Sequence, residues 1–329
     1  MVGAAIASTK RHRLVHSVQR VVLPQILILI LLAFQIPKTL AMLLLEGKRI
    51  LVTGSGRGIG RAIALICHQE GAQVAISSRT MSELDETAAL AAEAQVAPLS
   101  NRSSSSITHN KSSAVAATTT CANTKMNIHV ADVTKKEDVE AMVQEIVNNW
   151  GGIDILINNA GGAQQQKGSV DILEDEQALT SLLQLNVVSV HLVTNAVCRL
   201  AMKKDGRILN ISSKAGKVGL ENYSFYVASK FALEGMTASW SKELKHKNII
   251  VNSLSPGMVN TRSFPKPPDK KGVRTPDSIR KCLLFALTSE MGYTGHYVHA
   301  DEFDAVVREK GEAAASQAWK AIDELPFHI

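Results

Sequence analysis

Lys48-Arg-Ile-Leu-Val-Thr53 is a short apolar run that reads as a buried strand, and it breaks on Gly54-x-x-x-Gly58-x-Gly60 just before the helical pattern Arg61 to Cys67. No other stretch restricts the fold as much. Strand, glycine turn and helix in immediate succession put a helix N-terminus at the edge of a sheet, where it attracts phosphate oxygens. The glycines give the tight turn and remove side chains where backbone must approach a ligand. The spacing departs from Gly-x-Gly-x-x-Gly, and a glycine turn alone often only joins a strand to a helix.

More strands follow. Gln73 to Ser77, Met126 to Ala131, Gly151 to Ile157 and Arg207 to Ile211 are apolar runs, with helical segments between them. Thr80-x-x-Glu83 and Thr134-x-x-Glu137 read as capping boxes opening two of those helices. Aromatic residues are sparse and aliphatic ones plentiful, as suits a parallel sheet buried on both faces. The fold class expected is α/β, a doubly wound parallel sheet in one domain behind a hydrophobic leader. Residues 99–125 are rich in Ser, Thr, Ala and Asn and read as a low-complexity insertion inside that domain.

The second strand ends Ser77-Ser78-Arg79, without the acid that would bind a ribose 2′-hydroxyl of NAD. Arg79, with Arg57 in the glycine turn, offers bidentate donors to a 2′-phosphate instead, so NADP(H) is expected over NAD(H). Asp132, followed by Val133, closes the third strand at the ligand edge, where an acid suits an adenine amine. Asn158-Asn-Ala-Gly161 ends the fourth, small enough to lie against a cofactor, its amides able to tie strand ends together.

Tyr226 and Lys230 stand four apart at the start of a helical pattern and so share one face. A neighbouring ammonium favours the phenolate and lowers its pKa, which suits proton exchange with a carbonyl or alcohol. Ser213, thirteen positions before Tyr226, follows the Arg207 to Ile211 strand and can hold a substrate oxygen. A Tyr and Lys at helical spacing are also common surface decoration. Asn186 falls within the apolar helical run Leu182 to Met202. It is either a packing hydrogen bond or a bend holding a water that connects to Lys230.

Lys10, Arg11, Arg13, Arg20 and Lys38 provide five of the six excess positive charges, so residues 46–329 carry only one; that balance excludes a nucleic-acid surface. The four cysteines, Cys67, Cys121, Cys198 and Cys282, are too scattered for a disulfide framework or a zinc site. In the leader, residues 1–45, the apolar runs Val21 to Ile36 and Leu40 to Leu45 flank Pro37. A membrane anchor, an organellar presequence and a cleaved secretory signal compete there; hydropathy favours attachment through residues 21–45. The sequons at Asn210 and Asn222 disfavour a lumenal body, so the expected location is membrane-associated and cytosol-facing, with organelle targeting the alternative.

Taken together, Thr53 to Gly60, Asp132-Val133, Asn158 to Gly161, Asn186, Ser212-Ser213, Tyr226-x-x-x-Lys230 and Pro256-Gly257 make residues 46 to about 300 resemble a classical short-chain dehydrogenase/reductase, a Rossmann-fold enzyme. The resemblance implies a tetrad of Asn186, Ser213, Tyr226 and Lys230. Tyr226 would be the acid/base, Ser213 the holder of the substrate oxygen, Lys230 the ligand of the nicotinamide ribose, and Asn186 the positioner of a relay water. Thr53, Gly54, Arg57, Gly58, Ile59, Gly60, Arg79, Asp132, Val133, Asn159, Ala160, Gly161, Pro256, Gly257 and Val259 would line NADP(H), with Thr261 towards the carboxamide. A small or lipid-like carbonyl or alcohol substrate and a homodimer or homotetramer are implied as well.

There are departures. Arg262 to Thr275, where the family's substrate lid usually lies, is short and basic with three prolines, which implies an open or lipid-facing mouth. The last strand, Thr294 to Asp301, lacks a closing Gly-Gly. Residues 301–329 read as a helical tail whose Ala315, Trp319 and Ile322 would cover the pocket or a neighbouring subunit. A non-catalytic dinucleotide-binding scaffold or sensor at a membrane is the competing reading, since one fold hosts many functions.

Overall fold

A computed structural model describes residues 43–96, 126–262, 264–267, 269–289 and 293–324. The expectations for residues 1–42 and for 99–125 therefore lie outside the described residues.

Strands alternate with helices from the first glycine turn onward. β1 (Arg49–Thr53), β2 (Gln73–Ser78), β3 (Asn127–Val130), β4 (Ile155–Asn158), β5 (Arg207–Ile211), β6 (Ile250–Ser255), β7 (His296–His299) and β8 (Lys320–Ala321) form one sheet in the order β3-β2-β1-β4-β5-β6-β7-β8. Every pairing is parallel except β7 with β8. The chain reverses direction across the sheet between β1 and β4, which opens a crevice beyond their carboxyl ends.

Alternation along each strand builds two cores. Ile50 and Val52 of β1 with Ile155 and Ile157 of β4 face one layer, and Leu51 and Leu156 face the other. On the first side lie α1 (Gly58–Gln69) and α7 (Arg280–Thr288); on the second lie α3 (Lys136–Trp150) and α5 (Ser189–Ala196). Both faces are covered, as the aliphatic composition requires.

Several boundaries differ from the sequence reading. Gly151 to Asp154 are not strand: Gly151 terminates α3 in the left-handed region at φ 77°. Asp154 then grips Arg49 across β1 and β4, with Nε and Nη2 donating at 2.9 and 2.6 Å. Neither capping box forms. At α2 (Met81–Val96) the Thr80 amide donates to Ser78 Oγ, while Glu83 is taken by two arginines. At α3 Thr134 donates to the Asp132 carboxylate through both its amide and its hydroxyl.

The apolar run Leu182 to Met202 is not one regular helix. α4 (Glu176–Leu183) and α5 are each followed by a π-turn, Gln184–Val188 and Val197–Ala201. The whole stretch Glu176–Ala201 is long and apolar enough to cross a membrane, yet its inner face packs on the sheet side as a core helix does. Leu45, the last residue of the expected leader, is buried and its amide donates to the Glu70 carbonyl, so the body begins before residue 46.

The C-terminal segment is also not simply helical. α8 (Ala300–Lys310) leads through a 3₁₀ segment (Glu312–Ala318) to β8. Ala315, Trp319 and Ile322 are buried, and Trp319 stacks on Phe285 with centroids 5.8 Å apart. Ala315 and Trp319 join the core on one face of the sheet, and none of the three lines the cavity beside Gln164.

Candidate active site

The strand ends at the crevice are knitted together by their own polar groups. Thr53 Oγ1 accepts from the amides of Asn159 and Ala160, both at 3.1 Å, and Asn159 Nδ2 donates to the carbonyls of Thr53 and Gly54. Asn158 Nδ2 donates to Asn210 Oδ1 at 2.9 Å and to Thr194 Oγ1 at 3.0 Å, tying β4 to β5. Thr53 and Asn159 are thus occupied in holding the crevice open.

The glycine turn tolerates nothing larger. A side chain at Gly60 would meet the Gly54 carbonyl oxygen at 2.2 Å, and one at Gly54, where φ is 65°, would meet Ala160 Cα at 2.8 Å. No side chain caps the N-terminus of α1, where Arg57 is the cap residue. Amides at such a terminus, with the positive end of the helix dipole behind them, suit a phosphate. Gly58 begins the helix at φ 57° and Ile59 packs against the core.

Asp132 stands at the end of β3. Burial pushes its carboxyl up, but the hydrogen bonds from Thr134 and the charges of Arg79 and Lys135 hold it below the usual range. Val133 beside it is buried, and Arg79 is exposed at the end of β2. Gly161 lies against Asn186, whose Oδ1 would stand 3.2 Å from a side chain there.

After β6, Pro256 and Gly257 turn the chain, Gly257 at φ 79° with the Asp301 carboxylate 3.1 Å from where a side chain would begin. Val259 is buried and pairs with Arg274. Thr261 packs over Gly58, its Cγ2 3.4 Å from a side-chain position there. Phe264 brings its ring within 6.0 Å of the Tyr226 ring. The short segment thus places an aromatic ring beside Tyr226; the open or lipid-facing mouth remains an expectation from the sequence.

Ser213, Tyr226 and Lys230 converge at the end of β5. Tyr226 lies in the first turn of α6 (Ser224–Glu243), and Lys230 one turn later turns inward, 8% exposed, its Nζ donating to the Ile211 carbonyl at 3.1 Å. Nζ lies 5.8 Å from the centre of the Tyr226 ring. Burial pushes the Tyr226 phenol up, and a hydrogen bond with Ser213 partly offsets it. The expected lowering by Lys230 is not what sets this phenol. The lysine spends its donor on a strand-end carbonyl, and desolvation dominates. Burial lowers Lys230 itself to about 8, with Glu234 opposing.

Asn186 sits in the first π-turn, where the bulged backbone aims it inward. Its amide donates to the Gly162 carbonyl and to Ser229 Oγ, both at 3.0 Å, and its Oδ1 accepts from the Gly162 amide at 2.8 Å. It pins the strand end after β4 to α6, one residue from Lys230.

Three participants escaped the sequence reading. Gln164 is buried; its Oε1 accepts from the Tyr226 amide at 3.1 Å and it lines a cavity of about 290 Å³ with Gly162, Leu182, Leu185 and Phe225. Glu234 is buried, accepting from Ser253 Oγ at 2.8 Å and pairing with Lys217 at 3.2 Å. Its spacing from Lys230, four residues, was the available signal. Glu83, which collects Arg57 and Arg262, gave none beyond its false capping box.

A doubly wound sheet with an uncapped helix at its switch point, and Ser, Tyr and Lys at one strand end, defines a nucleotide-dependent oxidoreductase scaffold. The model of the short chain dehydrogenase family matches residues 48–108 and 101–271, and the chain belongs to that family, whose members are enzymes acting on carbonyl and alcohol groups. It is 30% identical over 270 residues to the 3-oxoacyl-[acyl-carrier-protein] reductase FabG of Thermotoga maritima, covering 78% of this chain and 97% of the relative. The same-named protein of Vibrio cholerae is 29% identical over the same shares. Among solved structures, a short chain dehydrogenase of Shigella flexneri complexed with NADP superposes with TM-score 0.64 at 26% identity, over 79% of this chain and 99% of that one.

Proposed function

We propose that this chain is an NADP(H)-dependent dehydrogenase/reductase that interconverts a carbonyl and an alcohol, with Tyr226 as general acid/base. The observation that carries the reading is the gathering at the end of β5: Ser213 follows the strand and partly offsets the burial that pushes the Tyr226 phenol up, while Lys230, its Nζ 5.8 Å from the centre of the Tyr226 ring, is anchored to Ile211 two residues before Ser213. Bound at the crevice, NADP(H) supplies or accepts the hydride. Gly54, Gly58, Ile59 and Gly60 would hold its pyrophosphate on α1. Asp132 and Val133 would take the adenine, and Asn159, Ala160, Gly161, Pro256, Gly257, Val259 and Thr261 the nicotinamide half, beside Thr53. Ser213 holds the substrate oxygen and Tyr226 gives or takes its proton. Lys230 holds the nicotinamide ribose and keeps a positive charge near the phenol, and Asn186 fixes α6 against the strand ends.

NADP(H) is favoured by Arg57 and Arg79 flanking the ribose end, and by the NADP complex of the Shigella structure. The 3-oxoacyl reductase relatives favour a carbonyl on an acyl chain. Attachment through the leader upstream of Leu43 rests on its hydropathy, a cytosol-facing body on the sequons at Asn210 and Asn222, and a homodimer or homotetramer on the family's habit. Turnover of ketones, steroids and 3-ketoacyl thioesters with NADPH and with NADH tests the reading. The wild type should favour NADPH, and Arg79→Asp should invert the preference. Equal use of both cofactors by the wild type would overturn the NADP assignment, and no turnover on any substrate would overturn the enzyme.

A further inference from the structure

Three side chains from distant parts of the sequence meet where β2 gives way to α2. Glu83, in the first turn of α2, has a side chain only 18% exposed, and its Oε1 accepts from Arg57 Nη1 at 3.1 Å and from Arg262 Nη2 at 3.0 Å. Arg57 comes from the glycine turn, and Arg262 from the segment after β6. Oε2 lies 3.2 Å from where a side chain on Gly56 would begin, and Ser78 Oγ lies 2.9 Å from the same point. A carboxylate therefore occupies the ground between the glycine turn and the end of β2, beside Arg79. In a doubly wound dinucleotide site the 2′ position of the adenosine ribose falls there.

Arg262 is 75% exposed, and an ion pair open on one side adds little to stability. Carboxylate and phosphate are both oxyanions that accept from guanidinium N–H groups. One carboxylate against Arg57 and Arg262 leaves a positive surplus, to which Arg79 adds.

Arg262 is also mechanically placed. Thr261 and Phe264 close a tight turn around it: the Phe264 amide donates to the Thr261 carbonyl at 3.0 Å and to its Oγ1 at 3.1 Å. Thr261 packs over Gly58, and Phe264 stands 6.0 Å from the Tyr226 ring. One end of the turn thus touches the carboxylate at the ribose site and the other walls the phenol.

Resting on the NADP reading above, we infer that Arg262 is a further ligand of the adenosine 2′-phosphate, held ready by Glu83, and that its grip sets the turn carrying Phe264 against Tyr226. Glu83 is a local rival of the phosphate: it positions both arginines but repels a dianion. The two side chains therefore act in opposite directions on one ligand group.

The test is calorimetric binding of 2′,5′-ADP and 5′-AMP to the full chain and to two variants, neither needing turnover. The wild type should bind 2′,5′-ADP more tightly than 5′-AMP. Arg262→Gln should weaken 2′,5′-ADP about tenfold, the loss of one charge-assisted hydrogen bond, and leave 5′-AMP unchanged. Glu83→Gln should tighten 2′,5′-ADP severalfold with 5′-AMP again unchanged, an improvement that a damaged fold does not produce. In steady state with NADPH, Arg262→Gln should also raise the KM for the carbonyl, while with NADH it should not. A wild type blind to the 2′-phosphate overturns the NADP reading and this inference with it. A discriminating wild type with Arg262→Gln unchanged, or weakened equally for both nucleotides, overturns this inference alone.

Discussion

Lys230 sits where its charge is disfavoured. It is buried on α6 with its Nζ on the Ile211 carbonyl at the end of β5, and burial lowers its pKa to about 8; Glu234, one turn along α6, works against that fall. The ammonium is present below about 8 and lost above it. If it supports Tyr226, activity declines as pH rises through that value. Glu234→Gln removes the opposing charge, so the decline should move to lower pH in a kcat profile. A limb that stays in place would show that Glu234 acts only on Lys217 and Ser253. At this scale the sequence displayed Ser213, Tyr226 and Lys230 by spacing alone. It did not display their surroundings: burial, which raises the Tyr226 phenol, comes from residues far along the chain, Phe264 among them.

The ties between neighbouring elements are where local patterns misled. Thr80-x-x-Glu83 has the letters of a capping box, but Arg57 and Arg262 claim the glutamate, and Asp132 claims Thr134. Six of the eight strands, in contrast, were legible because apolar runs and glycine turns are local and both sheet faces are dry; β6 and β8 were not read. The β1–β4 tie through Arg49 and Asp154 has a pH signature. Burial raises the Asp154 carboxyl, yet the hydrogen bonds and charge of Arg49 hold it below the usual range. Its stabilisation is therefore present above the ordinary carboxylate pKa of about 4 and is lost as pH falls through the lower folded value. Asp154→Asn should cost about 1 kcal/mol near neutrality, since both side chains are partly exposed, and should flatten acid unfolding below about pH 4. Parallel acid unfolding curves for variant and wild type would contradict this.

At the scale of the whole molecule, the C-terminal segment of the described residues returns to the sheet. Its apolar residues looked like a cover for something else, since nothing in the sequence shows that β8 adds antiparallel to β7 and turns Trp319 onto Phe285. Trp319→Ala should cost about 3–5 kcal/mol in denaturant unfolding, as for other large buried aromatics. A cost under about 1 kcal/mol would show the tail to be dispensable to the core. In the proposed reaction the fold, the switch point and the three gathered side chains would all serve one proton at one oxygen. Single-turnover carbonyl reduction by Tyr226→Phe with NADPH tests that most directly. Cofactor affinity should hold within a few-fold while the rate falls about 10²–10⁴-fold, the usual contribution of a positioned acid; a rate equal to the wild type's, with cofactor bound, would contradict the account.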